Sequence, residues 1–409
     1  MLYFKNHELA ETYHISDRTV RNWIEETKSG KLALALHTHD GKAYVANTAK
    51  NLATIEGLVA ARKKYRPHRT FKVIAPDPEF YRLFSPGQVY DIVSNLEIHH
   101  EIPRQYNYFD GGADSWDVYA TRLDKEQTPN VLNKTKELLT QNQGYIDNLL
   151  RKYTRINVVD IGVGNSMPVK ELIERLNERQ AMGRYIALDI SQNMLNIAKR
   201  NIQKWFGNTV LFEGYELDIN YDRFGNILAE EYLRKDADQT ANLILLLGGM
   251  LGNLRHPDGA LRIIHDSMGI NDQLVYIKKL DTKTARRHFD FNVEPGGGAV
   301  PPVHSLVVDL LNIDRSFYEL EVGYEQELRQ RYERIRFKIA LTLKFQLDEG
   351  GRSVSFNKGD SILLWRSQQQ SALEVINQFD RNDFYMLHSS QTDDQDYLLT
   401  ISRVKTAEF

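Results

Sequence analysis

The first residues able to do chemistry lie in the segment VVDIGVGNS at 158–166, where Asp160 is followed by Gly162 and Gly164. The run of Val and Ile before the acid is typical of a parallel strand that is buried on both faces. Glycines directly after such a strand let the backbone turn tightly, so a ligand can approach main-chain N–H groups with no Cβ in the way. Met167 occupies the position of the third glycine of a dinucleotide fingerprint, which disfavours a pyrophosphate-binding site.

Further polar residues follow the next predicted strands. YIALDIS ends with Asp189, suited to accept both hydroxyls of an adenosine ribose, and EGYELDI contains Asp218, suited to accept the adenine amino group. Ser191 is expected to cap the next helix, and Gly248 ends the fourth strand, NLILLLGG. Any one acid would fit a helix cap or a surface charge. Because the carboxyl ends of parallel strands meet in one crevice, the set predicts a pocket for an adenosine without phosphates, and we expect S-adenosylmethionine as the cofactor.

The elements that must position these residues come from a β/α alternation between 116 and 281. VVDIG, YIALDIS, VLFEGYELDI, NLILLLGG and LVYIKKLD predict strands with helical stretches between them, the pattern of a parallel sheet covered by helices. Ser166 is expected to cap the helix after the glycines. The apolar face of that helix has the spacing i, i+3, i+4, i+7 and consists of Val169, Leu172, Ile173 and Leu176.

Residues 1–70 read as a separate module. HELAETYHI and SDRTVRNWIEETKSGK predict two helices, the second capped by Ser16, and an Asp-Gly turn at 40–41 predicts a β-hairpin. This order resembles a winged helix-turn-helix of the MerR/excisionase type. The resemblance implies that three side chains of the second helix face DNA, namely Arg18, Thr19 and Arg21. DNA binding normally uses a basic face, whereas residues 1–50 carry seven Lys/Arg and six Asp/Glu. The basic run from Arg62 to Lys72 fits a solvated linker equally well.

The composition is that of a globular protein, with 409 residues, 42% of them hydrophobic and 26% charged. A net charge of −3 points to neither a nucleic-acid nor a membrane partner. The lack of cysteine excludes disulfides and thiolate metal sites and suits a cytoplasmic protein. The apolar run LILLLGGML at 243–251 is far shorter than the roughly 20 residues of a membrane helix. His37 with His39 and His99 with His100 have no acidic partner at ligand spacing, so we expect no metal.

The segment LLGGMLGNL at 246–254 is similar to the strand-end motif G-[GS]-T-[IL]-G-N of the histidine-specific, S-adenosylmethionine-dependent methyltransferases. The type member of that family makes the trimethylated histidine precursor of ergothioneine. Three other motifs of the family have counterparts in the same order. The motif P-x-x-Y-x-Y-D-x-x-G-S corresponds to Pro103, Tyr106, Tyr108, Gly112 and Ala113. The motif Y-P-T-R corresponds to Tyr119, Ala120, Thr121 and Arg122. The motif G-E-x-I, with the E-N-S that follows it, corresponds to Gly359, Asp360, Ile362, Trp365, Arg366 and Ser367. Each motif is degenerate by itself, whereas the ordered set is fairly specific.

The resemblance implies an α/β architecture. We expect a class I Rossmann-like methyltransferase sheet, an inserted α+β substrate domain and a small N-terminal winged-helix module. The expected boundaries are 1–70 for the module, 71–115 with 282–365 for the substrate domain, and 116–281 with 366–409 for the methyltransferase domain.

The resemblance also implies an acceptor site. In the family, the counterparts of Asn253 and Tyr119 hold the amine and carboxylate of an amino acid, and that of Tyr108 lines the side-chain pocket, with Trp365 and Ser367 at the substrate-contacting motif. The imidazole-binding glutamate of the family falls on Trp365, which cannot accept a hydrogen bond from a ring N–H. The family's carboxylate-binding tyrosine has no counterpart in LDTKTARRHFDFN, which offers Arg286, Arg287, Phe289 and Phe291 instead. An aromatic or larger amine, or an amino acid other than histidine, therefore fits better.

We expect an enzyme that N-methylates a small-molecule amine or amino acid. Methyl transfer is an in-line displacement that depends mainly on positioning, so Asn253 and Tyr119 are expected to orient the nitrogen. Two alternatives stay open: a DNA-binding regulator that senses S-adenosylmethionine or an amine, and O- or carboxyl methylation on the same scaffold. A homodimer and DNA contact through residues 1–70 also stay open, whereas no membrane partner is expected.

Overall fold

The computed structural model of the protein describes residues 3–13, 15–64, 71–126, 129–233, 237–283, 298–347 and 350–405. The chain divides into two compact units, Met1–Thr70 and Phe71–Phe409. Some residues singled out in the sequence lie outside the described residues or have side chains that are not described: Arg62, Lys63, Lys64, Arg66, Arg69, Arg286, Arg287, Phe289 and Phe291.

The first unit consists of β1 (Tyr3–Phe4), α1 (Asn6–Thr12), α2 (Asp17–Lys28), β2 (Leu36–His39), β3 (Lys42–Ala46) and α3 (Ala49–Lys64). Its strands pair antiparallel in the order β1-β3-β2, and the predicted hairpin is confirmed. The predicted cap of α2 is also confirmed, because Ser16 Oγ accepts from Thr19 N at 3.2 Å. The expectation that Thr19 faces DNA is wrong, since its side chain is buried beside that cap while Arg18 and Arg21 are exposed.

The second unit begins with β4 (Lys72–Ile74), α4 (Pro78–Leu83), α5 (Pro86–His99), a short 3-10 helix (Arg104–Tyr108), α6 (Gly111–Lys125), α7 (Val131–Gln141) and α8 (Gln143–Leu150). A β/α alternation follows: β5 (Arg155–Ile161), α9 (Lys170–Glu178), β6 (Met182–Asp189), α10 (Gln192–Phe206), β7 (Leu211–Glu216), α11 (Gly225–Tyr232), β8 (Thr240–Leu246), α12 (Met250–Asn253), α13 (Pro257–Ser267) and β9 (Gln273–Lys279). The chain then forms α14 (Pro302–Leu310), β10 (Tyr318–Glu325), β11 (Gln330–Phe337), β12 (Leu341–Leu347), β13 (Gly350–Phe356), β14 (Ser361–Gln368), α15 (Ala372–Arg381), β15 (Phe384–Gln391) and β16 (Tyr397–Val404).

Within the described residues, seven strands form one mixed sheet in the order β15-β16-β9-β8-β5-β6-β7. The five strands from β9 to β7 run parallel, and the hairpin of β15 and β16 adds an antiparallel edge next to β9. The chain moves outward from β5 to β6 and β7, and then returns to place β8 on the other side of β5. This reversal is the doubly wound arrangement of a Rossmann-like sheet, so the predicted sheet is confirmed.

Helices cover both faces of this sheet because their apolar stripes match the helical period. On α9 and the turn before it, Val169, Leu172, Ile173 and Leu176 are all buried, as predicted. Together with strand residues such as Val158 and Leu243 they form one hydrophobic core. A second core lies on the opposite face.

Two smaller sheets, β10-β11-β14 and β13-β12-β4, share a third hydrophobic core with α5 and α14. β4 pairs in parallel with β12, so segments from before and after the β/α alternation belong to one sheet. The short helix Arg104–Tyr108 and α6 lead from this region to the main sheet.

Candidate active site

The candidate site is a cavity of about 500 Å³ at the C-terminal ends of the parallel strands. It opens where β5 and β8 lie side by side and the chain direction of the sheet reverses, the place where open α/β sheets bind ligands. The predicted residues that line it are Tyr108, Asp160, Gly162, Gly164, Asp189, Asp218, Gly248 and Asn253. The predicted residues outside its lining are Tyr119, Ser191, Trp365 and Ser367.

The two glycines after β5 keep part of this cavity open. Gly162 has φ +68° and Gly164 has φ +52°, a left-handed conformation that side chains disfavour. A Cβ on Gly162 would stand 2.5 Å from Met250 Sδ, and one on Gly164 would stand 3.4 Å from Trp116 Nε1. The glycine spacing therefore corresponds to a bend that lines the cavity and at which a side chain would meet Met250 or Trp116.

Asp160, near the end of β5, is held by a hydrogen bond from the neighbouring strand β6. Tyr185 OH donates to Asp160 Oδ2 at 2.6 Å and lies 3.0 Å from Ser166 Oγ. Burial raises the pKa of Asp160 to about 7, although the hydrogen bond from Tyr185 acts in the opposite direction. The expectation that Ser166 caps the next helix is wrong: its φ is +60°, it makes no cap hydrogen bond, and its hydroxyl faces Tyr185 instead.

Asp189 ends β6 and shapes the loop behind it. Its Oδ1 accepts from Ser191 N at 3.0 Å, and burial raises the pKa of its carboxyl to about 7. Ser191 Oγ accepts from Met194 N at 3.3 Å, which confirms the predicted cap of α10. The same hydroxyl donates to the carbonyl oxygen of Tyr108 at 2.5 Å, so Ser191 joins the β6 loop to the segment that carries Tyr108.

Asp218 lies two residues beyond the end of β7. Its Oδ1 accepts from the backbone N and the side-chain Nδ2 of Asn220, at 2.9 and 2.7 Å. Burial raises the pKa of this carboxyl as well. Asp91 and Tyr221 line the cavity beside it.

These residues fit S-adenosylmethionine. Acidic side chains at successive strand ends are desolvated, and ligand hydroxyl or amino groups that donate to them would favour their ionised form. We propose that Asp189 accepts from the ribose of the bound cofactor and Asp218 from its adenine amino group. Gly162 and Gly164 line the same cavity without side chains.

Asn253 also lines the cavity. It lies at the end of α12, after the glycines that follow β8. In the amide orientation that satisfies both groups, Asn253 Nδ2 donates to Arg366 O at 2.8 Å and Oδ1 accepts from Arg104 Nη1 at 2.5 Å. The Arg104 guanidinium lies 5.6 Å from the ring centroid of Tyr108 and 5.7 Å from that of Trp116. The side chain of Asn253 is therefore fixed in direction.

Tyr119 lies outside the cavity lining and packs against Trp116. It is buried with Leu123, Leu132 and Val303, and its ring centroid lies 5.4 Å from that of Trp116. Trp116, in turn, packs edge-on against Tyr108 at 5.8 Å and lines the cavity. Tyr119 thus supports an aromatic residue that reaches the cavity.

Trp365 and Ser367 belong to β14, where they pair with Glu333 and Arg331 of β11. Trp365 is buried and stacks near His304, with 6.3 Å between ring centroids. His304 Nδ1 lies 2.9 Å from Glu333 Oε1, and both side chains are buried. Ser367 Oγ accepts from Gln369 Nε2 at 3.0 Å.

Sequence reasoning did not identify several residues that line the cavity. Arg104 is one, although it lies inside the motif that contains Pro103 and Tyr106. Glu101, Arg255 and His99 are others: Glu101 Oε2 accepts from Arg255 Nη1 at 2.8 Å, and Arg255 Nη2 lies 2.7 Å from His99 Nδ1. A single sequence gives no signal for them, because their positions depend on how distant segments pack.

Among the residues that the structure describes, no group of three His, Cys, Asp or Glu side chains could hold a metal ion. In the same part of the chain, no helix combines the length and the apolar character that crossing a bilayer requires.

Residues 90–279 match the model of a protein family described as histidine-specific methyltransferase, SAM-dependent. The search of curated proteins finds no match. Among solved structures, an S-adenosylmethionine-dependent methyltransferase from Clostridium acetobutylicum has 9% identity, a TM-score of 0.37 and coverage of 79% of this chain and 100% of its own. A 1,6-didemethyltoxoflavin-N1-methyltransferase from Burkholderia thailandensis has 12% identity, a TM-score of 0.37 and coverage of 79% and 92%.

The matched segment contains Asn253 and every lining residue from β5 to α12. The family match, the Rossmann-like sheet and the fit of the cavity identify an enzyme that uses S-adenosylmethionine to transfer methyl groups.

Proposed function

We propose that this S-adenosylmethionine-dependent methyltransferase transfers a methyl group to the amine nitrogen of an amino acid or a related small amine. The observation that carries the proposal is the placement of Asn253. Its amide lines the same cavity as Gly162 and Asp189, and two hydrogen bonds fix its direction. Bound S-adenosylmethionine supplies an electrophilic methyl group on a sulfonium.

The protein contributes position rather than a covalent group. Asn253 Oδ1 already accepts from Arg104, and an amide oxygen has a second lone pair that can accept from an amine N–H. Such a contact directs the nitrogen lone pair into the cavity. Well-oriented reactants gain on the order of 7–11 kcal/mol from proximity alone. Partial desolvation by the apolar residues of the wall favours the neutral amine over the ammonium.

The wall of Tyr108 and Trp116 supports an aromatic or otherwise large acceptor side chain. Tyr108 and Trp116 pack edge to face and give this wall aromatic surface, which suits such a side chain better than a small one. The family description names histidine, and Trp365 stands where the family has its imidazole-binding glutamate. We therefore propose an α-amine acceptor whose side chain differs from that of histidine.

The test is methyl transfer from labelled S-adenosylmethionine to a panel of the common amino acids and small amines, with the product identified by mass spectrometry. We expect a label that is stable to base and lies on nitrogen. Asn253→Ala should lower kcat/KM by roughly 100-fold, as expected for loss of a positioning contact, with cofactor binding retained. A base-labile ester or a methylated hydroxyl would instead favour the O-methylation alternative.

Contact with DNA through residues 1–70 stays a prediction from the sequence, since these residues lie outside the matched segment. Filter binding of random duplex DNA across a salt series tests it, because phosphate contacts weaken steeply as salt rises. Retention that does not change with salt would exclude the DNA-binding regulator.

A further inference from the structure

Arg104 occupies the junction between the amide of Asn253 and the aromatic wall. It lines the cavity, its Nη1 donates to Asn253 Oδ1 at 2.5 Å, and its guanidinium lies over the rings of Tyr108 and Trp116. The guanidinium is therefore held at one place in the cavity wall.

The described contacts of the Arg104 guanidinium are with the amide oxygen of Asn253 and the rings of Tyr108 and Trp116, none of which carries a negative charge. Among the described residues, no carboxylate oxygen lies within 4.0 Å of its guanidinium nitrogens, and its buried Nε has no hydrogen-bond partner there. The other arginines near the cavity differ in this respect, because Arg255 and Arg366 both donate to the carboxylate of Glu101. A cation inside a cavity is costly unless an anion or other acceptors compensate it.

We infer that Arg104 binds the carboxylate of the acceptor, so that the enzyme methylates α-amino acids in preference to the amines that lack the carboxyl group. This inference rests on the proposed function and narrows its substrate class. A planar guanidinium with five N–H donors matches a carboxylate in geometry and charge.

The position of Arg104 suits an α-amino acid. The amine and the carboxylate of such a molecule are attached to the same carbon, so the groups that bind them must be neighbours. Arg104 and Asn253 are in direct hydrogen-bond contact, which lets one bind the carboxylate while the other orients the amine. The side chain would then extend along Tyr108 and Trp116.

The sequence lacks the residue that, by the resemblance, would bind the carboxylate of the acceptor. The carboxylate-binding tyrosine of the family has no tyrosine counterpart in LDTKTARRHFDFN. In the motif P-x-x-Y-x-Y, Arg104 is the residue directly after Pro103, at a position that the motif leaves open. Arg104 supplies a carboxylate contact from a different segment of the chain.

The experiment uses the full-length protein saturated with S-adenosylhomocysteine. Calorimetry measures the affinities of matched pairs: tryptophan with tryptamine, tyrosine with tyramine, phenylalanine with phenethylamine, and histidine with histamine. The variants are Arg104→Met, which removes the charge, and Arg104→Lys, which keeps it. Arg334→Met is the matched control, because Arg334 lies outside the cavity lining and is paired with Glu321.

We expect the wild-type protein to bind the amino acid of at least one pair more tightly than its amine. Arg104→Met should lower that preference by roughly 10- to 100-fold, the range for loss of a charged hydrogen bond, with little change in amine affinity. Arg104→Lys should keep part of the preference. Arg334→Met should leave the ratio unaltered.

Two results would overturn the inference and leave the proposed function standing. If Arg104→Met weakens amino acid and amine equally, Arg104 only positions Asn253. If the same variant weakens S-adenosylhomocysteine but not 5′-methylthioadenosine, which lacks a carboxylate, the guanidinium serves the cofactor instead. If the wild-type protein neither binds nor methylates any member of these pairs or of the panel of common amino acids and small amines, the proposed function itself fails.

Discussion

Replacement of Asp189 by asparagine tests the cofactor site with the least disturbance to the fold. Asparagine keeps the shape of the side chain and an oxygen that can accept from Ser191 N, the contact that Asp189 Oδ1 makes at 3.0 Å. It removes the charge and turns one acceptor into a donor, which opposes a ribose hydroxyl.

The magnitude follows from the hydrogen bonds that the variant loses. A hydrogen bond to an ionised group contributes about 1.5–3 kcal/mol, and a hydroxyl left facing an NH₂ group adds a desolvation cost. A total loss of about 2–4 kcal/mol corresponds to a roughly 30- to 700-fold weaker Kd for S-adenosylhomocysteine. The fold should persist, because burial raises the pKa of Asp189 to about 7 and the ionised carboxylate is therefore unfavourable in the free protein at pH 8.

Calorimetric titration at pH 8 measures the affinity for S-adenosylhomocysteine, and Tm measured under the same conditions reports the stability of the fold. Glu216→Gln is the matched control, since Glu216 is the register partner of Asp189 on β7 and is exposed outside the cavity. We expect unaltered affinity for the control, and for Asp189→Asn a weakened Kd with a Tm no lower than that of the wild type. Unaltered affinity of Asp189→Asn would refute the assignment of Asp189 to the ribose.

Three further predictions concern protonation and backbone conformation. The carboxyls of Asp160 and Asp189 have pKa values raised to about 7; if a donor-rich ligand binds their ionised forms, its affinity falls below pH 7, by up to about tenfold per pH unit for each proton. Calorimetry between pH 6 and pH 8 measures this, and a flat profile would contradict it. Gly162→Ala should weaken S-adenosylhomocysteine binding and lower Tm. The control Gly207→Ala, at φ +58° with open space around its Cβ, should lower Tm alone. Equal binding by both variants would exclude a steric role for Gly162. Burial lowers the pKa of Lys278 to about 7, so the unfolded state binds more protons above that pH and the free energy of unfolding should rise between pH 7 and pH 10, by up to about 1.4 kcal/mol per unit. Urea denaturation of wild type and Lys278→Met checks this; the same pH slope in both would contradict the role of Lys278.

The strands and helix faces of the main sheet could be predicted because their signals are local. Val and Ile runs that end at Asp160 and Asp189 correspond to β5 and β6, and a helical spacing of apolar residues corresponds to the buried side of α9. The convergence of the acids followed from one general rule, that parallel strands of an open sheet end at one edge.

Two side chains, those of Ser166 and Thr19, do not have the roles that the sequence predicted for them. Ser166 has the residue type of a helix cap, yet its hydroxyl lies against Tyr185, which comes from the next strand. Thr19 has the position of a DNA-facing residue, yet the cap at Ser16 buries it. The contact at Ser166 comes from another strand and is not encoded locally, whereas Thr19 lies beside a cap that the local sequence does encode.

The acceptor side of the cavity was the least predictable. Arg104 and Asn253 are far apart in the chain and meet only because the segment before the sheet packs against the loop after β8. Glu101 contacts Arg255 and Arg366 for the same reason. The resemblance located Asn253 and Tyr108 at the cavity, while Tyr119 and Trp365 lie behind or beside it.

A crystal structure of the full-length protein with S-adenosylhomocysteine tests the central claim most directly. We expect the ribose hydroxyls within hydrogen-bond distance of Asp189, the adenine amino group beside Asp218, and the sulfur above Gly162 with open space toward Asn253. An adenosine bound away from the ends of β5 and β6, or a sulfur on the far side of the sheet from Asn253, would contradict it.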